Sequence, residues 1–276
     1  MKDVAFGQYY PTKSFVHKMD ARVKILLAIA FLVAVFLAKS STTFQFGGLA
    51  LCGAFLLVAI AFSNVPFFRV IKSIKAIIFF VILSALLQLL LNKGGTPLWE
   101  NGFITNVGLY NAIFISVRIL LVVIGANLLT LTTSPVEISD GIESLLSPLK
   151  LIKFPVHEFA LIMSIALRFI PTLLDETDRI IKAQKARGAD FETGNIFKRI
   201  KALVPILIPL LISSFRRADE LAFAMDARCY AGSKHRTKYK KMKITFRDVL
   251  GVILLGTLIT GVILLNNSWF LQVICV

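Results

Sequence analysis

The sequence predicts an all-α integral membrane protein, with about five transmembrane helices and a helical cytoplasmic or interfacial domain inserted before the last of them. Three observations predict it. Of the 276 residues, 57% are hydrophobic and the mean hydropathy is +0.78, more apolar surface than a soluble domain of this length can bury. Five apolar stretches are separated by polar breaks. The net charge of +15 is spread unevenly among those breaks, as in membrane proteins whose Lys and Arg collect on the cytoplasmic side.

The apolar stretches run near 25–38, 44–62, 76–91, 108–131 and 249–271. A straight crossing needs about 20 residues. The first and third are short, so they borrow flanking residues, snorkelling lysines or local thinning of the bilayer. Arg118 interrupts the fourth; it either faces protein or water or snorkels from a helix end. The N-terminal segment, polar for too long to act as a cleavable signal, carries Lys2, Lys13, Lys18, Arg22 and Lys24. The second connection carries Arg69, Lys72 and Lys75, whereas the first and third carry only Lys39 and Lys93. The positive-inside rule then makes the N-terminus and second connection cytoplasmic and the C-terminus external. Residues 1–131 hold the cytoplasmic entry segment and four membrane helices, 132–247 the cytoplasmic domain, and 248–276 the last membrane helix.

The inserted domain is too long for a loop and too apolar for a linker. Between Thr132 and Arg247 it contains 20 Lys and Arg against 12 Asp and Glu. Ser134, Pro135 and Glu137 form a capping-box start for its first helix. Pro148 and Pro155 punctuate the chain after that helix. The run from Pro155 to Gly188 predicts a long helix bent at Pro171, and the run from Asn195 to Gly232 a third containing Pro205 and Pro209. Runs 157–171 and 199–215 either cross the membrane or lie at its interface; the charges just beyond each favour the interface.

Two helix tails repeat. "DRIIKAQKARG" runs from Asp178 to Gly188 and "DELAFAMDARC" from Asp219 to Cys229. Asp178 matches Asp219, Ala183 matches Ala224, Ala186 matches Ala227 and Arg187 matches Arg228. Ala183 lies one turn before Arg187 on the same face, where a small side chain admits a close neighbour. Gly188 is a natural left-handed terminator. Read plainly, these are ordinary C-caps favoured by the helix dipole. Read as a pair on the cytoplasmic side, they are two pegs whose arginines enter acidic, carbonyl-lined grooves on a partner.

These residues resemble the T component of energy-coupling factor transporters, the transmembrane coupling subunit related to the cobalt permease membrane protein. The entry segment Ser14-x-x-His17-x-x-Asp20-x-Arg22-x-Lys24 is similar to that family's segment before the first span. "RFIPTLLDETDRIIKAQKARG" (168–188) is similar to its first signature and "AMDARCYAG" (224–232) to its second. Cys229 departs from the glycine common there. The resemblance implies a non-catalytic subunit of the prokaryotic cell membrane. Two ATP-binding-cassette (ABC) ATPases, a homo- or heterodimer, would dock on Ala186, Arg187 and Gly188 and on Ala227, Arg228 and Cys229. ATP and Mg would be bound by those ATPases and no cofactor by this chain. A small substrate-binding membrane protein for a vitamin or metal ion would contact the apolar helices, with 157–171 and 200–215 as candidates.

Other readings are weaker. No GxxxxGK[ST] phosphate loop occurs, and "GGTPLWENG" (94–102) lacks its lysine. Cys52, Cys229 and Cys275 have no metal-site or disulfide spacing, and His17, His157 and His235 are scattered. Asp175, Glu176 and Asp178 raise a membrane prenyltransferase, which needs a second facing acidic cluster for magnesium and diphosphate; the plainer expectation pairs Glu176 and Asp178 with Arg179 or Lys182. The basic run at 234–243 is explained by attraction to the inner leaflet, without nucleic acid.

Overall fold

In the computed structural model, the residues described are 9–10, 12, 14–38, 46–75, 77–91, 105–148, 155–189, 191, 196–230, 232 and 245–266. They form helices α1 (Ala21–Leu37), α2 (Gly47–Ser63), α3 (Phe67–Lys75), α4 (Ile78–Leu91), α5 (Asn106–Thr132), α6 (Pro135–Leu145), α7 (Val156–Ala186), α8 (Ile196–Ala227) and α9 (Phe246–Asn266). The chain divides into two compact units, one of Gly7–Gly141 with Met242–Val276, the other of Met1–Phe6 with Ile142–Lys241.

In the first unit each apolar stretch becomes a helix whose ends are set by local chemistry. α1 starts four residues before its apolar run because the Asp20 carboxylate accepts from the Arg22 N–H at 3.3 Å, a side-chain N-cap. The Thr105 hydroxyl does the same for α5, accepting from Gly108 N–H at 3.2 Å. α2 ends at Asn64 in the left-handed region, φ 51°, which Asn tolerates well. The capping box of α6 forms in both directions: Glu137 N–H donates to Ser134 Oγ at 3.3 Å and Ser134 N–H to the Glu137 carboxylate at 3.4 Å. The second connection is itself a helix, α3, which interleaves apolar and basic residues after Pro66.

Helices α1, α2, α5 and α9 share a core built on Phe31, Val35, Leu49, Cys52, Leu56, Leu121, Leu258 and Val262. Small residues let the backbones close in, as they do where lipid removes the hydrophobic drive between helices. A Cβ on Gly125 would stand 2.6 Å from the Phe31 ring. Arg118 is settled here. Its guanidinium donates to the Ala38 carbonyl and lies over the Phe114 ring, 4.6 Å from the centroid, so this mid-helix arginine faces protein.

In the second unit α7 runs unbroken through Pro171, and α8 through Pro205 and Pro209. By length and composition α5, α7 and α9 are long and apolar enough to cross a membrane; α2 and α4 are shorter apolar helices. Residues 94–102, the basic run at 234–243 and the C-terminal residues 271–276 lie outside the described residues.

Candidate functional site

The two arginine tails close in the same way. At the end of α7, Gly188 takes φ +85°. Its N–H donates to the Lys185 carbonyl at 3.0 Å, and the Ala189 N–H to the Gln184 carbonyl at 3.0 Å. That pair of bonds is a Schellman motif, with Arg187 as C-cap. At the end of α8, Cys229 takes φ +55°. Its N–H donates to the Asp226 carbonyl at 2.9 Å, and the Tyr230 N–H to the Met225 carbonyl at 3.1 Å. The same motif thus forms with cysteine in the position where the first tail uses glycine. A cysteine can enter the left-handed region at a cost of about 1–2 kcal/mol. The departure at Cys229 therefore changes the cost of the cap and not its geometry.

The caps consume backbone groups and leave the side chains out. Ala186, Arg187, Gly188, Ala227, Arg228 and Cys229 are all exposed. Each arginine ends a helix whose dipole favours a cation there, and each guanidinium presents its planar fork to the surroundings.

The acidic group is arranged differently from the sequence expectation. Glu176 pairs across to α8: Ser213 Oγ donates to its Oε1 at 2.6 Å, and Arg217 Nη2 donates to its Oε2. Both carboxylate oxygens are thereby held by a neighbouring helix, which pairing with Arg179 or Lys182 on the same helix would not achieve. The register of α7 against α8 made this choice, and sequence spacing within one helix does not report it. Asp175 is exposed and Asp178 half-buried. Among the described residues no three His, Cys, Asp or Glu are grouped to hold a metal ion, so the diphosphate-binding alternative finds no assembled acidic cluster there. His157 Nδ1 lies 3.2 Å from Glu143 Oε1, far in sequence from His17.

The entry segment forms a polar knot in the first unit. His17 Nε2 donates to the Tyr10 carbonyl at 2.9 Å, which leaves Nδ1 to accept from Ser14 Oγ at 2.6 Å. Burial lowers the His17 pKa from its ordinary value near 6.5, with the bond to the Tyr10 carbonyl opposing. Lys24 is buried, and its ammonium donates to the carbonyls of His17 at 3.0 Å and Thr132 at 3.2 Å. Asp248, 1% exposed, accepts from Asp20 N–H at 2.8 Å and from Thr245 N–H at 2.6 Å. The segment that carries part of the family resemblance thus ties α1 to the end of α5 and the start of α9. Asp248 is the member that sequence reading missed; its only signal is an acidic residue in the first turn of a helix.

Residues 12–239 match the profile of the cobalt transport protein family, CbiQ. The chain is 47% identical over 272 residues to the energy-coupling factor transporter transmembrane protein EcfT of Ruminiclostridium cellulolyticum, covering 98% of this chain and 100% of that one. It is 46% identical to EcfT of Clostridium kluyveri, with 98% and 99% covered, and 45% identical to EcfT of Bacillus subtilis, with 94% and 98% covered.

Proposed function

Because the chain belongs to the EcfT family of energy-coupling factor transporter transmembrane proteins, we propose that it is the coupling subunit of such an importer, carrying the motion of two cytoplasmic ABC ATPases to a small substrate-binding membrane protein. The observation that carries this reading is the pair of exposed arginines, Arg187 and Arg228, each presented by the same Schellman cap at the end of a long helix. Two matched pegs fit two matched sockets, and two ATPase subunits supply them. ATP and Mg belong to those ATPases, and the imported solute is a vitamin or metal ion.

The membrane arrangement follows the charge distribution. The N-terminus lies inside and the C-terminus outside, residues 132–247 lie on the cytoplasmic side, and α1, α2, α4, α5 and α9 cross. In α7 and α8 the apolar half precedes the charged half, so each lies with its first half against the membrane interface and its tail towards the ATPases. Exposed Phe159, Ile162, Leu207, Leu211 and Phe215 then offer the substrate-binding protein an apolar face. ATP binding closes the ATPases, shifts the two pegs relative to each other and moves that face.

The test is co-purification from native membranes of tagged wild type and of an Arg187→Ala/Arg228→Ala variant, with bound proteins identified by mass spectrometry. The expected result is two ABC ATPases and one small membrane protein with the wild type, and no ATPases with the variant. Each single change weakens docking by about 2 kcal/mol, the scale of a buried interface arginine. Normal transport by the double variant sinks the peg reading.

A further inference from the structure

We propose that Glu176, Ser213 and Arg217 form the pivot that sets the spacing of the two docking arginines; the proposal rests on the coupling-subunit reading above. Glu176 lies eleven positions before Arg187, and Arg217 lies eleven positions before Arg228. Eleven residues make close to three helical turns and rise about 16 Å. Each clasp residue therefore shares a helix face with its own arginine and stands the same distance from it. The helices are joined at equivalent points of their repeat, with equal arms beyond the joint. With the joint held, the angle between the helices alone decides how far apart the arm ends stand.

The charges of the repeat fit such a joint. The tails keep Asp178 and Asp219, the alanines and the arginines, but four matched positions carry opposite charge: Asp175 against Arg216, Glu176 against Arg217, Arg179 against Glu220, and Lys185 against Asp226. Like charges at matched positions repel where two copies of one helix meet, and opposite charges attract. The clasp is also more than a loose surface ion pair. One carboxylate oxygen takes the Ser213 hydroxyl and the other the Arg217 guanidinium, with both charged side chains partly shielded from solvent. Two donors from one helix fix the direction of the carboxylate as well as its distance. These are positioning residues, acting through the spacing of Arg187 and Arg228.

The experiment places spin labels at Lys182→Cys and Phe223→Cys, equivalent exposed positions of the two arms, in a full chain whose Cys52, Cys229 and Cys275 are changed to alanine. Distances are measured by pulsed electron spin resonance in lipid nanodiscs, for the parent and for Glu176→Gln/Ser213→Ala. Transport per ATP hydrolysed is measured in the reconstituted complex for the same pair without labels. The expected result is one narrow distance distribution in the parent, a broad or shifted one in the variant, and a loss of about tenfold in transport per ATP, the scale of a lost charged hydrogen bond. Glu176→Arg/Arg217→Glu is expected to restore both. An unchanged distribution in Glu176→Gln/Ser213→Ala, or unchanged transport per ATP, overturns the pivot, whether or not the exchange variant folds. The distance measurement needs no ATPase. Absence of ATPases from the wild-type complex would therefore overturn the coupling reading, while the distances still report whether the clasp sets the arm spacing.

Discussion

At the residue scale, the two tails make one cap from different amino acids. Gly188 meets no atom within 4 Å of where its Cβ would be, so an alanine there changes backbone preference and nothing else. We expect Gly188→Ala to destabilise its cap by about 1 kcal/mol and Cys229→Gly to stabilise the other by a similar amount. Hydrogen exchange at the Ala189 and Tyr230 amides, the outer donors of the two motifs, measures both; unchanged protection in either variant contradicts the argument. His17 makes a pH prediction. Its folded pKa is depressed, chiefly by burial, so the unfolded segment takes up a proton first as pH falls. Stability is therefore full above about 6.5 and declines as pH drops from there towards the folded pKa. Thermal unfolding followed from about pH 7.5 to 5.5 should show that decline, and His17→Gln should flatten it. The arginine tails and the His17 segment were legible in the sequence because motif spacing lies along one stretch of chain. The direction of the Glu176 carboxylate was not, because its partners lie 37 and 41 residues on.

At the element scale, helix ends were readable where a polar side chain caps its own helix. Ser134 and Glu137 announced α6, and both bonds of the box form. α1 draws in four flanking residues ahead of its apolar run, and the Asp20 cap, which a hydropathy window does not see, sets where it starts. Asp248 shows what local reading cannot supply: it caps α9 through Thr245 and also receives the Asp20 N–H from the opposite end of the sequence. Asp248→Ala removes the shared acceptor of two part-buried N–H groups, at about 1–3 kcal/mol in all. A lower unfolding temperature in detergent checks this, and Asp248→Asn, which keeps one oxygen, should lose less. Packing makes a second prediction. Gly125→Ala drives a methyl into the Phe31 ring, which must move at about 1–3 kcal/mol. The same assay with Phe31→Leu added should recover part of the loss; an unperturbed Gly125→Ala shows that the α1–α5 contact is looser than described.

At the scale of the whole molecule, fold stability and the proposed docking rest on different atoms. Arg187 and Arg228 contribute backbone to their caps and expose their side chains. Truncating both should leave the stability of the isolated chain within about 0.5 kcal/mol of wild type while ATPase binding is lost. A variant that loses both together would show that the arginines hold the fold and not a partner. The division into two units permits this separation, because the core of α1, α2, α5 and α9 contains neither arginine.

The sequence by itself determined the class of molecule, the apolar helices, the capping box and the repeated tails. Each depends on composition or on spacing within a few turns of one chain segment, where side-chain periodicity and capping act. Only the tertiary structure decided that Arg118 faces the Ala38 carbonyl, that Lys24 and Asp248 close the entry knot, and that Glu176 turns to α8. Those pairings join residues 37 to 228 positions apart, and a buried polar group takes whichever partner the packed helices bring within reach.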